Sequence, residues 1–462
     1  MFESGVYILR RNKLKEKIKS GIILLLGNTD TPMNYPANIY QFRQDSSFLY
    51  YFGLNDPGLA GIIDVDNNTE IIFGNDIDLD DVIWMGPQPT VQERSEKAGV
   101  ADARAFKELS GYISKAISGK REIHFLPPYR GENKILLNEL TGIPVAGLKE
   151  KASETLIKAI VEMRSVKEEV EIRELVKAAA IGYEMHISAM RMVKPNIHES
   201  TIAGLMEGIA LSQQGKVSFP IICSQNGETL HNHDHSQTLK EGRLLLIDAG
   251  AETPMNYCSD YTRTLPATKK FTPQQKEIYE IVLAANNAAT KVIKPGVTYI
   301  SVHLLVAKVI TEGLKMIGLM KGDTDEAVKA GAHAMFFPHG LGHMIGLDVH
   351  EMEDLGEDNV GYDDEVHRSQ QFGLSLLRLG KKLQPGYAIT NEPGIYFIPP
   401  LIHKWENEGI NKDFIDFTKV KDYIGFGGIR LEDDLLVTEN GCSLIGKRLP
   451  ATVNEIENIM NR

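Results

Sequence analysis

Several acidic residues stand where a charge is costly. In KEGRLLLIDAG, Asp248 closes the apolar run Leu244-Leu245-Leu246-Ile247. A carboxylate ending a buried strand is unfavourable unless it is paired or bound to metal. Asp260 follows twelve residues later in YCSDYTRTLP, close enough for a hairpin to bring both acids to one face. Glu392, in AITNEPGIYF, again sits at the edge of an apolar run. In GGIRLEDDLLVT, strand alternation places Arg430, Glu432 and Asp434 on one side. PHGLGHMIGLDVHE carries His339, His343 and His350 among glycines that allow close backbone approach. Singly, each has a bland explanation: a strand-end Asp is usually exposed, and a glycine-rich stretch can hold one core histidine. HNHDH at 231–235 has the spacing of a metal clip, but it is polar and offers no evident fourth ligand for zinc. Together, the acids would repel one another strongly in one pocket unless cations compensated. Oxygen-rich ligation with one imidazole suits a pair of divalent ions, manganese foremost.

The elements that must position these residues show a duplication. From Ser165 the pattern is helical, opening on the capping-box spacing Ser165-Val166-Lys167-Glu168. Ile172, Leu175, Val176, Ala179, Tyr183, Ile187 and Met190 then fall on one helix face. The segment ends at Lys194-Pro195, and a second helical segment, FTPQQKEIYEIVLAANNAATKVIKPGV, ends at Lys294-Pro295, 100 residues on. Gly242 precedes Asp248 by six residues, as Gly386 precedes Glu392. Two halves, each helix–turn–helix then strand, predict a pseudo-twofold domain with an acid from each half near one axis.

Before this domain, helical and strand signals alternate: a basic helical stretch from Arg10 to Lys19, the strand GIILLLG, and a hairpin in LAGIIDVDNNTEIIFG around Asp66-Asn67-Asn68. The expected organisation is an α/β domain over 1–158 followed by an α+β domain over 159–462. A chain of 462 residues, 42% hydrophobic and 24% charged, is long enough for two cores. Its net charge of -12 disfavours nucleic acid and anionic membrane as partners. The apolar run near the start is too short for a signal peptide, and no run approaches the ~20 residues that span a bilayer. Cys223, Cys258 and Cys442 are widely spaced with no C-x-x-C, which suits a reducing, cytoplasmic setting.

IDAGAE, SDYTRTLP, HGLGHMIGLDVHE, NEPGIY and GIRLEDD resemble the five metal-binding motifs of the pita-bread metallopeptidases, and within them the Xaa-Pro group, aminopeptidase P and prolidase. FRQDSSFLYYFGLNDPG is similar to that group's non-catalytic first domain, and WMG at Trp84 looks prolidase-like. The resemblance implies a creatinase/aminopeptidase-like pita-bread domain holding two metal ions on Asp248, Asp260, His343, Glu392 and Glu432, with Asp260 and Glu432 bridging. It further implies that His231 assists near the substrate and His350 stabilises the tetrahedral intermediate. His339 would line the proline-side pocket, and Arg430 would support the bridging glutamate. The implied reaction is hydrolysis of an N-terminal Xaa-Pro bond by a water that the metals share and ionise, with Glu392 as ligand and general base. The Asp248–Asp260 spacing is one residue longer than the family's, so the intervening turn should differ.

After His350 comes a long insertion whose LLRLGKKLQPG resembles the prolidase segment with a carboxylate-gripping arginine, here Arg378. DAGAE, YTRTLP and the first domain look more like aminopeptidase P. The expectation is therefore an Xaa-Pro aminopeptidase acting on proline-containing peptides, with a strict Xaa-Pro dipeptidase as the alternative. A metal-free pita-bread binding protein, or creatinase-like C–N hydrolysis without metals, is opposed by the full ligand set. The resemblance also implies a homodimer or larger assembly.

Overall fold

The computed structural model describes all 462 residues and separates into two units. The first comprises residues 1–164 with 352–359. Its five-stranded sheet runs in the order Asp102–Ala105, Thr69–Gly74, Ala60–Asp64, Ile22–Leu26, Ile123–His124. The three central strands pair antiparallel and the two edge strands join in parallel. Ile22, Ile23, Leu24 and Leu25 are all buried, so both faces of the strand Ile22–Leu26 are covered and the sequence shows a continuous apolar run. Leu24, Ile62, Phe73, Ile113 and Leu137 form the core on one face. The first helix, Ser4–Ile18, starts earlier than its basic cluster suggested. Arg10 and Arg11 are buried in it, donating to the carbonyls of Tyr50 and Tyr51, and Arg11 also to that of Ala98. The separate segment 352–359 contributes buried Leu355, with Met352 at φ 60.

The hairpin between Ala60–Asp64 and Thr69–Gly74 is tied by charge. Burial opposes ionisation of Asp64, but the Arg121 guanidinium, the Tyr112 hydroxyl and Asn67 outweigh it and hold the carboxyl down at about 2. Arg121→Met is expected to cost about 2–3 kcal/mol at neutral pH, because it strands a buried carboxylate. A depressed carboxyl contributes stability above its unfolded value of ~3.9 and loses it as pH falls through 2, so the deficit should close over that interval. Urea unfolding at several pH values measures it, and a deficit undiminished near pH 2.5 would contradict the ion-pair account.

The second unit comprises residues 165–351 and 360–462. Helices Glu169–Met192 and Glu199–Ser212 pack as a pair, and so do Pro273–Val292 and Tyr299–Met316. The duplication extends to the backbone. Asn196 and Gly296, at matching turns, both take positive φ, as do Gly242 and Gly386. Isolated bridges join His198 to Thr238 and Thr298 to Lys382 in the two halves. Strand Leu244–Asp248 lies between Thr262–Pro266 and Ile222–Ser224 in one three-stranded antiparallel sheet, Asp433–Val437 lies between Ala388–Asn391 and Cys442–Leu444 in another, and a Thr262–Glu432 bridge connects the halves.

Two local readings need correction. Ser165 ends the helix Glu154–Ser165 rather than opening the next one. Val166 bridges to Tyr387 and the Lys167 N–H donates to the Gly386 carbonyl, which holds the chain extended, so Glu168 caps the following helix with Glu171. On that helix Val176 is 42% exposed, because the buried stripe rotates to include Glu171, which accepts from the Tyr257 hydroxyl.

Candidate metal centre

The two half-sheets deliver their acids to one cavity of about 210 Å³, open to solvent, lined by Asp248, Asp260, His343, Glu392 and Glu432 together with His231, His339, His350, Arg378 and Arg430. All ten residues singled out from the sequence thus meet in one place. Asp248 is the last residue of its strand, and Asp260 lies two residues before the strand paired with it. A turn at residues 253–257 lies between them, with Asn256 at φ 66. Glu392 directly follows Ala388–Asn391, its N–H donating to the Leu341 carbonyl. Glu432 stands between the strands Gly428–Arg430 and Asp433–Val437. Gly342 is required beneath His343, because a Cβ there would fall 2.3 Å from the Thr390 carbonyl oxygen.

Ligand atoms of Asp260, His343 and Glu432 lie within 4.8 Å of one another. His343 Nδ1 is 2.9 Å from the Met344 carbonyl oxygen, so its proton belongs there, and Nε2 faces Asp260 Oδ2 at 3.5 Å as a lone pair. Asp260 is held from behind, its N–H donating to Asp434 Oδ2 at 2.9 Å, and the Thr262 hydroxyl donates to Glu432 Oε2 at 2.8 Å. Asp248 and Glu392 lie further round the cavity. Asp248 forms an ion pair with Arg430, while Glu392 is 3.7 Å from His339 and 3.9 Å from His343. The direct partner of Arg430 is therefore Asp248 rather than Glu432; its Nε also donates to the Thr262 hydroxyl and its Nη1 to the Tyr396 oxygen. His231 is exposed at the rim, and His350 packs edge-on against His343 with ring centres 4.3 Å apart.

Electrostatics make the crowding explicit. Burial, then the charges of Glu432 and Asp248, push the Asp260 carboxyl well above the usual carboxylate range. Burial, then Glu392 and Asp248, do the same to Glu432. Burial lifts Glu392 to about 7, against the pull of Arg430 and Arg378. Burial, reinforced by the Arg430 charge, lowers His339 to about 3 and keeps it neutral. Asp248 Oδ1 and Asp260 Oδ1 are buried with no donor. Buried acids with spare lone pairs and an imidazole lone pair aimed among them match a divalent-ion donor set, and cations at this point would relieve the repulsion.

Sequence reading missed Tyr396. Its hydroxyl oxygen accepts from Arg430 and its O–H donates to His339 Nε2 at 2.8 Å, while His339 Nδ1–H points to the Gly340 carbonyl. The signal was present: Glu392, Gly394 and Tyr396 alternate along one strand face. His233 and Phe219 also line the cavity.

A duplicated α+β domain with a buried carboxylate–imidazole cluster defines a metal-dependent hydrolase class. Residues 173–439 match the model of metallopeptidase family M24, and residues 7–124 match that of the aminopeptidase P N-terminal domain. Human Xaa-Pro dipeptidase is 32% identical over 99% of this chain and 93% of its own length. A "Probable Xaa-Pro aminopeptidase" of Fusarium vanettenii is 32% identical over 96% of this chain and 91% of its own length. Among solved structures, a variant of Escherichia coli aminopeptidase P in complex with substrate superposes with TM-score 0.83 at 27% identity, covering 100% of this chain and 98% of the other. The chain belongs to metallopeptidase family M24 and has its pita-bread fold, preceded by an aminopeptidase P-type first domain. No helix is long and apolar enough to cross a membrane.

Proposed function

We propose that the protein is an Xaa-Pro aminopeptidase and that Asp248, Asp260, His343, Glu392 and Glu432 would hold two divalent ions, manganese foremost. The observation that carries this reading is the convergence of these side chains, with undonated buried oxygens, at the junction of the two halves. When bound, such a pair supplies Lewis-acid activation of water and of the scissile carbonyl. Glu392 takes the proton of the attacking water and passes it to the leaving proline nitrogen. His350 donates to the oxygen on which charge develops, and His231 assists at the substrate's edge. His339, kept neutral and oriented by Tyr396, lines the proline pocket, and Arg430 fixes Asp248. An Xaa-Pro bond carries no amide N–H and its nitrogen is hindered by the ring, so it needs a dedicated site rather than one that reads an extended backbone.

Restriction to dipeptides is the second reading, and Arg378 favours it. It lines the same cavity as Glu392, His231 and His339, and a guanidinium there supports bidentate binding of a substrate carboxylate. Release of alanine from Ala-Pro and from Ala-Pro-Ala by the manganese-loaded protein separates the two. Strong tripeptide cleavage is expected; cleavage of the dipeptide alone makes the protein a dipeptidase, and cleavage of neither opposes both readings.

The division into a first domain over 1–158 and a catalytic domain over 159–462 is part of the same reading, as is a cytoplasmic setting, supported by the absence of any disulfide among the three cysteines. A homodimer or larger assembly is supported by the helix Leu79–Met85, which buries none of its residues and leaves Leu79, Ile83 and Trp84 at 75%, 71% and 86% exposure. Light scattering at working concentration is expected to give at least twice the 51.4 kDa chain mass, and a monomer would refute it.

A further inference from the structure

Arg378 lines the cavity between Leu377 and Leu379, both of which are buried. The backbone carrying it is clamped by residues that do not reach the cavity. The Tyr362 hydroxyl donates to the Leu377 carbonyl at 2.6 Å. Arg368 Nη1 donates to the same carbonyl at 3.2 Å and to that of Ser375 at 3.0 Å. The Arg368 guanidinium also lies over the Tyr362 ring, 4.9 Å from its centre, so each holds the other in place. The opposite side is equally close. The Gly361 carbonyl accepts from the N–H groups of Gly380 and Lys381, and a Cβ on Gly361 would lie 1.7 Å from the Arg378 carbonyl oxygen. On Gly340 it would lie 2.8 Å from Leu377 Cα.

We propose that Tyr362 and Arg368 are positioning residues that set the reach of Arg378, and thereby how strongly the enzyme prefers a short substrate with a free carboxylate next to the proline ring. The proposal rests on the reading of Arg378 as the carboxylate-binding group. Two hydrogen bonds converge on one carbonyl a single residue ahead of Arg378. Releasing them lets the segment move, and a bidentate contact is the interaction most sensitive to that movement. A clamp that merely supported the fold would weaken turnover of every substrate alike. A clamp that aims Arg378 affects only substrates that offer Arg378 a charge.

The test compares kcat/KM for Ala-Pro and for Ala-Pro-amide, which differ in that charge, in the manganese-loaded protein and in Tyr362→Phe, Arg368→Met, Arg368→Lys and Arg378→Met. Arg378→Met is expected to lower the Ala-Pro to Ala-Pro-amide ratio about 10- to 100-fold. Tyr362→Phe and Arg368→Met should lower it about 3- to 10-fold, through KM for Ala-Pro, with the amide nearly unaffected. Arg368→Lys should recover part of the loss, since an ammonium still donates to one carbonyl. Equal losses on both substrates, or none on either, in Tyr362→Phe and Arg368→Met would overturn the proposal while leaving the role of Arg378 intact. An unchanged ratio in Arg378→Met would overturn that underlying reading, and the proposal with it. Tyr362→Phe removes one oxygen and keeps the packed ring, so its result stands even if Arg368→Met folds poorly.

Discussion

Glu392→Ala is expected to lower kcat on Ala-Pro-Ala by about 10⁴-fold, the upper end of what a positioned acid–base group contributes. The structure explains why nothing else substitutes for it. Asp248, its counterpart in the other half, is neutralised by Arg430, and Asp260 and Glu432 are tied to the Asp434 and Thr262 side. The companion Glu392→Gln keeps the shape and loses the basic oxygen, and about 10²–10⁴-fold is expected. Neither loss should come from unfolding, because removing one of several crowded buried acids relieves repulsion in the metal-free protein. Steady-state rates read beside thermal melting curves check both halves of this expectation. A near-normal rate would remove Glu392 from its assigned role.

The second large effect concerns metal and stability together. Glu432→Gln should abolish activity, since the amide replaces a carboxylate of the proposed metal-binding set. It should also blunt the response to chelator. Manganese at about 100 times its Kd should stabilise the wild-type protein by about 2.7 kcal/mol, or roughly 4–5 °C in the melting temperature of a unit this size. Chelation removes that gain and exposes the repulsion among Asp248, Asp260, Glu392 and Glu432. In Glu432→Gln one charge of that set is gone, so the variant should melt above the chelated wild type and gain little when manganese is added. Melting curves with and without chelator measure this, and a variant that melts below the chelated wild type would show that Glu432 stabilises the fold by some route other than metal.

Much of this was legible in the residues. The duplication could be read because the turns repeat at fixed spacing and need positive φ, and only a few residue types supply it: Asn196, Gly242, Gly296 and Gly386. Asp248 and Glu392 could be read because each ends an apolar run, Asp260 from its spacing to Asp248, and Glu432 from strand alternation. The pairing of Arg430 was not legible: Asp248 and Glu432 are both plausible partners in one dimension, and only the crossing of strands Leu244–Asp248 and Gly428–Arg430 decides for Asp248. The helix start at Glu168 was misread because a β-bridge from Val166 to Tyr387, more than two hundred residues away, overrides a local capping pattern. Tyr396 escaped because a tyrosine in an apolar strand reads as core until its hydroxyl is seen between Arg430 and His339.

The first unit is not contiguous in the chain, since it takes residues 352–359 from within the second unit's sequence. On a ribosome adding roughly 5–20 residues per second, about 10–40 s pass between synthesis of residue 164 and of residue 359. Throughout that time the sheet of the first unit lacks Leu355 and the rest of its closing segment. The second unit is unfinished for as long, because Glu392 and Glu432 come later still. The order of synthesis therefore works against a finished first domain waiting for its neighbour.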